Sequence, residues 1–111
     1  PGYAIVNLAV KETAVAPGDV TDEQLEIMAD LADEYSFGEI RVTHEQNATL
    51  ADVRKKDLYT LWKKLCDAEL ATPNLGLLTD IICCPGGDFC SLANAKSLPV
   101  ADALADRLEI R

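Results

Sequence analysis

The cysteines Cys84 and Cys90 have five residues between them, and that stretch begins with Pro-Gly-Gly. Thiolates are the ligands of iron–sulfur clusters, and glycine lets backbone N–H groups come close to an inorganic sulfur or another anion. The pattern predicts a helix directly after the loop, which would bring the second thiolate near the positive end of a helix dipole. On spacing alone, a tight turn with two incidental thiols is an equal alternative.

The other two cysteines, Cys66 and Cys83, fall on apolar positions of a predicted helix and a predicted strand, so we expect both to be small buried residues. The chain has no secretory signal, which favours free thiols or metal ligands over disulfides. Zinc is disfavoured because the only histidine, His44, lies forty residues before Cys84. A redox-active dithiol is disfavoured because such motifs usually have the shorter Cys-X-X-Cys spacing.

A second group of polar residues is predicted where a strand passes into a turn, and it consists of Arg41, Thr43, Gln46 and Asn47. The planar guanidinium of Arg41 suits carboxylates or another oxyanion. The alternative is a solvated strand face on which Arg41 pairs with Glu39 or Glu45. Composition alone favours that alternative, because exposed ion pairs form at little cost.

The elements that must position these residues follow the order β-α-β-β-α-β with a helical tail. Strands are predicted over residues 3–10, 38–43, 48–53 and 77–83, and helices over residues 21–36, 55–69 and 89–111. Residues 11–20, 44–47 and 72–76 are predicted as loops or turns. This order predicts an α+β fold, a ferredoxin-like sandwich with a C-terminal helical tail.

Helix signals support these assignments. Thr21 and Gln24 form a capping-box sequence at the start of the first helix. The residues predicted to face the core are Leu25, Met28, Leu31, Ala32 and Tyr35 in the first helix, and Leu58, Leu61, Trp62, Leu65 and Cys66 in the second. Pro99 either interrupts the last helix or restarts it at a first-turn position after Ser97.

Composition excludes several classes of protein. The chain has 111 residues, enough for one domain, and its net charge of −9 is unsuited to nucleic acid. No apolar run reaches membrane-spanning length, and the start of the chain lacks the basic region of a signal peptide. The first residue is not methionine, so we expect an excised segment of a longer protein or a trimmed terminus.

Two motifs resemble one family, the sulfite/nitrite reductases that contain sirohaem and an iron–sulfur cluster. Residues 38–47, GEIRVTHEQN, are similar to the family's G-[DE]-[IF]-R-[VIL]-T-x-x-Q-N strand and turn. Residues 80–93, DIICCPGGDFCSLA, are similar to its first cluster motif, C-x5-C-x-L-A. The trailing residues 95–99 also fit.

The resemblance implies a division of the chain. Residues 1–76 would be the second ferredoxin-like half-domain, and residues 77–111 the beginning of the sirohaem and [4Fe–4S] domain. Cys84 and Cys90 would be two of the four cluster ligands. The residues Arg41, Thr43, Gln46 and Asn47 would lie near the sirohaem carboxylates. The family's second cysteine pair would fall beyond Arg111, so no catalytic residue is expected in this chain.

The resemblance implies a cytoplasmic assimilatory enzyme that carries out the six-electron reduction of sulfite to sulfide. Nitrite reduction to ammonia is the close alternative, and a stand-alone, non-catalytic binding module is a third. The implied partners are the rest of the reductase chain, sulfite or nitrite, and a ferredoxin or flavoprotein electron donor, with no nucleic acid and no membrane. We expect the chain alone to be inactive, to bind no cofactor, and to self-associate through an exposed apolar face.

Overall fold

Three antiparallel strands and three α-helices form the part of the chain that the computed structural model describes, residues 2–11 and 15–108. The elements are β1 (Tyr3–Leu8), α1 (Asp22–Tyr35), β2 (Arg41–Val42), β3 (Ala48–Arg54), α2 (Leu58–Asp67) and α3 (Ser97–Leu108), with 3₁₀ turns at Lys55–Asp57 and Gly86–Asp88. The strand order is β1-β3-β2, and both neighbouring pairs are antiparallel. This arrangement confirms the α+β, ferredoxin-like class with a C-terminal helix.

Helix α1 begins at the capping box that the sequence predicts. The Thr21 hydroxyl accepts a hydrogen bond from the Gln24 N–H at 3.1 Å, and the Gln24 side chain accepts one from the Thr21 N–H at 2.9 Å. The Gln24 amide also donates to the Ala68 carbonyl at 3.1 Å, which ties the start of α1 to the end of α2. Gly38, at φ 71°, donates its N–H to Ala32 and closes the other end.

The core lies between one face of the sheet and helices α1 and α2. Its buried residues are Leu8, Met28, Leu31, Ala32, Ala48, Leu50, Val53, Leu61, Leu65 and Leu70. The predicted helix stripes are thus confirmed at Met28, Leu31, Ala32, Leu61 and Leu65, while Tyr35 and Leu58 pack at the edge of the core.

The burial predicted for three helix residues is wrong. Leu25 is 55% exposed, Trp62 is exposed, and Cys66 is exposed as well. In α2, Leu61 and Leu65 lie one turn apart and occupy the contact with the sheet, so residues beside that line project into solvent. Cys66 is therefore a surface thiol and not a small buried residue.

The predicted fourth strand, residues 77–83, is also wrong. Within the described residues this stretch joins no sheet, and its backbone forms turns in which Leu77 donates to Asn74 and Asp80 donates to Leu77. Leu77, Leu78 and Ile82 are exposed. Without an apolar face to bury, the run lacks the main stabilisation of a strand.

The strand predicted over residues 48–53 is confirmed as β3, and the other two strand predictions are only partly correct. Of residues 38–43 only Arg41–Val42 forms a strand, and Val42 is 91% exposed, so the predicted apolar face of Ile40 and Val42 is not buried. The first strand ends at Leu8, two residues before its predicted end.

The final helix begins at Ser97 and not at Phe89. Cys90 donates its N–H to the Gly86 carbonyl, and Ala93 donates to Cys90, so this segment forms successive turns. Pro99 lies in the first turn of α3, which confirms its interpretation as a restart. Residues 109–111 of the predicted tail lie outside the described residues.

No helix in the described part of the chain combines the length and the apolar character needed to cross a bilayer.

The complete burial of Leu50, which is 0% exposed, predicts that Leu50→Ala lowers the free energy of unfolding by about 2–5 kcal/mol, because truncation leaves a cavity. Val42→Ala is the matched control on the neighbouring strand, and we expect a change within about 0.5 kcal/mol. Urea unfolding followed by circular dichroism measures both. Equal losses in the two variants would contradict this placement of the core.

Candidate functional site

The cysteine loop, defined here as residues 83–90, meets the N-terminus of α3 through its first candidate ligand. The Ser97 hydroxyl donates to the Cys84 carbonyl at 2.6 Å and lies 3.4 Å from the Cys84 sulfur. Contact of the Cys84 sulfur with the Ser97 hydroxyl and with the Gly86 N–H lowers the pKa of the Cys84 thiol, so its thiolate forms more readily than that of an ordinary cysteine. The prediction that Cys90 is the thiol at the helix N-terminus is wrong, because α3 begins seven residues after Cys90.

The glycines let the loop pack directly against the chain that precedes α3. Gly86 has φ 62°, and a Cβ there would overlap the Ser97 hydroxyl and approach the Ser97 nitrogen to 2.8 Å. Gly87 donates its N–H to the Ala95 carbonyl at 2.8 Å. The Pro-Gly-Gly sequence thus brings two backbone segments together.

The thiols of the loop are accessible. Cys84 and Cys90 are exposed, Cys83 is partly exposed, and all four cysteines of the chain are free. Among the described residues, no group of three or more His, Cys, Asp or Glu side chains is placed to hold a metal ion. This donor set fits a thiolate-ligated cluster as two of its ligands, and it does not form a complete site.

The residues predicted to form a donor patch separate into two groups. Thr43 accepts hydrogen bonds from the N–H groups of Glu45 and Asn47, so its hydroxyl shapes the turn. Arg41 forms an exposed ion pair with Glu39 at 2.6 Å, the pairing that composition favoured.

Gln46 and Asn47 face the segment that carries the cysteines. Gln46 donates its amide to the Cys83 carbonyl at 2.7 Å and accepts from the Cys83 N–H at 2.8 Å. Asn47 is buried, accepts from the Val10 N–H at 2.9 Å and donates to Asp80 at 3.1 Å. A cleft of about 370 Å³ opens between α1, this turn and the cysteine loop, and its lining includes Met28, Thr43, Gln46, Cys83 and Phe89.

A buried ion pair that the sequence analysis missed anchors the same segment. The Lys11 ammonium lies 2.7 Å from an Asp80 carboxylate oxygen, and the two side chains are 1% and 5% exposed. Lys11 also donates to the Glu45 carbonyl at 2.6 Å, and the Gly76 N–H donates to Asp80 at 2.9 Å. One sign of this pair was present in the sequence, since Asp80 is the only charged residue in the apolar run 77–83.

The environment of Asp80 sets the protonation state of its carboxyl. Burial acts to raise its pKa, but hydrogen bonds from Gly76, Lys11 and Asn47 and the charge of Lys11 outweigh burial and lower it. The carboxylate form is therefore favoured, and it holds together three segments that are distant in sequence.

Comparison with known proteins gives consistent matches. Residues 12–68 match the family described as the nitrite/sulfite reductase ferredoxin-like half domain. The chain is 33% identical to a ferredoxin–nitrite reductase of Synechococcus elongatus over 95 residues, which cover 86% of this chain and 19% of that protein. It is 35% identical to a chloroplastic ferredoxin–nitrite reductase of Zea mays over 89 residues, 75% of this chain and 16% of that one.

A third relative uses a different electron donor in its name. The nitrite reductase [NAD(P)H] of Neurospora crassa is 30% identical over 95 residues, which cover 84% of this chain and 8% of that protein. The chain thus spans less than a fifth of the length of each of these three relatives.

The Asp80 environment predicts a pH-dependent contribution to stability. Because the folded-state pKa is lowered, this contribution is present above the ordinary carboxyl value of about 3.9 and is lost as pH falls through the folded pKa. Asp80→Asn leaves Lys11 buried without its partner, and we expect a loss of about 3–5 kcal/mol at pH 7.

Urea unfolding at about pH 7 and pH 3 measures this effect. The difference between wild type and Asp80→Asn should shrink at the lower pH, and exposed Asp30→Asn is the control. A difference that stays constant with pH would contradict the assignment.

The loop geometry predicts unequal effects of alanine at two glycines. Gly86→Ala must displace Ser97, whereas Gly76→Ala meets no atom within 4 Å, although both glycines have positive φ. We therefore expect Gly86→Ala to cost at least about 1 kcal/mol more than Gly76→Ala. Urea unfolding compares them, and two-dimensional NMR of Gly86→Ala should show shifts at Cys84 and Ser97. Equal effects would refute the close packing.

Proposed function

The chain belongs to the nitrite/sulfite reductase ferredoxin-like half-domain family, and from this membership we propose that it forms part of an enzyme that reduces nitrite to ammonia. The observation that carries the choice of nitrite is that the curated relatives matching most of this chain are named nitrite reductases. Sulfite, which the sequence analysis placed first, becomes the competing substrate.

We propose that Cys84 and Cys90 supply two of the four ligands of a [4Fe–4S] cluster. The support is chemical, since both thiols are exposed on one short loop and contacts with Ser97 and Gly86 lower the pKa of the Cys84 thiol. We further propose that residues 1–76 act as the half-domain and that residues 77–111 begin the cluster-binding part of the protein.

Within the predicted sirohaem region, Arg41 is the residue we propose to contact the cofactor. Its guanidinium is exposed and, within the described residues, forms an exposed ion pair with Glu39, so it can exchange that carboxylate for one of the cofactor. The polar groups of Thr43, Gln46 and Asn47 are already used within the protein, so we assign them to shaping the surface beside it.

A sirohaem coupled to a [4Fe–4S] cluster would supply the iron site and the electrons for reduction of the bound oxyanion. The residues of this chain contribute binding and orientation. Cys84 and Cys90 offer thiolates from a loop fixed to α3, and Arg41 offers an exposed charged donor on β2. The thiols on the described chain do not complete a cluster site, so we propose that the chain alone is inactive.

The electron donor is proposed to be a ferredoxin, since two of the relatives carry that donor in their names. The NAD(P)H-dependent relative supports a flavoprotein as the second candidate for the electron donor.

We also propose a cytoplasmic location and self-association of the separate chain through exposed apolar side chains such as Ile5, Val42 and Trp62.

The cluster assignment predicts the effect of removing one thiol. In the product of the complete gene, Cys84→Ser should lose iron, acid-labile sulfide and nitrite reduction. Cys66→Ser is the matched control, because Cys66 is an exposed thiol on α2, and it should keep all three. Metal analysis, the visible spectrum and rates with nitrite and with sulfite provide the measurements.

Unchanged iron content in Cys84→Ser would refute the ligand assignment. A faster reaction with sulfite than with nitrite would reverse the choice of substrate. A complete gene product without iron and sulfide would favour the stand-alone binding module.

A further inference from the structure

The side chain of Gln46 binds the backbone of Cys83 in the way that a neighbouring strand would. Its amide oxygen accepts from the Cys83 N–H at 2.8 Å, and its amide nitrogen donates to the Cys83 carbonyl at 2.7 Å. Both peptide groups of one residue are therefore satisfied by one side chain. Cys83 directly precedes Cys84, so this contact lies one residue before the first candidate ligand.

The backbone at Gln46 adopts a conformation that a glutamine rarely adopts. Its φ is 60°, in the left-handed region where glycine and asparagine are easier to accommodate. The side chain also lies close to Gly18, where an added Cβ would come within 3.1 Å of the Gln46 Cβ. A strained residue with a fully used side chain points to a role for that side chain.

We propose that Gln46 is a positioning residue, which holds Cys84 in place against the half-domain before any metal binds. The inference rests on the proposed role of Cys84 as a cluster ligand. Asp80 anchors the same segment three residues before Cys83, through Lys11 and Asn47. Gln46, in the β2–β3 turn, binds the first residue of the loop, and it fixes where the loop leaves the half-domain.

The loop beyond this contact is held by one bond within the loop and by two further bonds, to Ala95 just before α3 and to Ser97 at its start. Ser97 donates to the Cys84 carbonyl, Gly87 donates to Ala95, and Cys90 donates to Gly86. These bonds maintain the shape of the loop but do not attach it to the sheet. Loss of the Gln46 hydrogen bonds to Cys83 should therefore let the loop move as a unit while these three bonds persist.

The test compares Gln46→Gly with Glu45→Gly in the metal-free chain. Gln46→Gly removes the amide and relieves the positive φ, whereas Glu45→Gly adds the same backbone freedom to the same turn and leaves the amide in place. Gln46→Asn is a second variant, since it tolerates positive φ but is one methylene too short to reach Cys83.

Two NMR measurements follow the loop and the core separately. In the wild type and in Glu45→Gly, we expect ¹⁵N order parameters of about 0.85 for Cys84 and residues 86–90, Pro85 having no N–H. In Gln46→Gly and Gln46→Asn these should fall toward about 0.6, and the Cys83 amide should exchange about tenfold faster or more. The amides of Leu50 and Val53 in β3 should exchange at wild-type rates.

Order parameters that stay unchanged for residues 84–90 would overturn the proposal. It would also be overturned if the β3 amides exchanged faster by the same factor as Cys83, because Gln46 would then serve only global stability. Both readouts are independent of cluster binding. A Cys84→Ser protein that keeps its iron would refute the proposed function and leave these results unaffected.

Discussion

The attachment of the cysteine-bearing segment to the sheet depends on the buried Lys11–Asp80 ion pair. Burying two charges costs several kcal/mol for each ion, and this cost is offset only when the remaining donors and acceptors are satisfied. Here Glu45, Asn47 and Gly76 supply those partners. The pair therefore specifies one arrangement of three segments, because any other arrangement would leave a charge unpaired in the interior.

The contacts from the β2–β3 turn to this segment are made by side chains and not by a strand ladder. Asn47 and Gln46 are consecutive residues, and they bind Asp80 and Cys83 respectively. A fourth strand would have fixed the segment along its whole length. Two discrete anchors fix it at two points, and the exposed Leu78 and Ile82 are free of the packing that a strand would impose.

The sequence predicted the elements whose signals are local. The Thr21 capping box and the strand predicted over residues 48–53 depend on neighbours along the chain, and both are confirmed. The prediction of a fourth strand over residues 77–83 was wrong, because an apolar run does not reveal whether the fold has a surface that covers it. The prediction that Cys66 is buried was wrong, because the fraction of a helix surface that becomes covered depends on the element packed against it. The Lys11–Asp80 pair spans sixty-nine positions, and no local pattern reports such a contact.

The sequence predicted that Cys84 and Cys90 share one loop, but it did not predict the hydrogen bonds that Gln46 makes to that loop. Cys84 and Cys90 do lie on one exposed loop, and the Gln46 side chain binds the first residue of that loop.

The contact between Gly86 and Ser97 limits which substitutions the two positions can accept. Replacing the glycine first would collide with the serine, and replacing the serine first would remove the hydroxyl from Cys84. Each single step damages the loop, and the Ser97 nitrogen and the Ala95 carbonyl would still block a Cβ at Gly86 after the serine is replaced, so neither change compensates for the other.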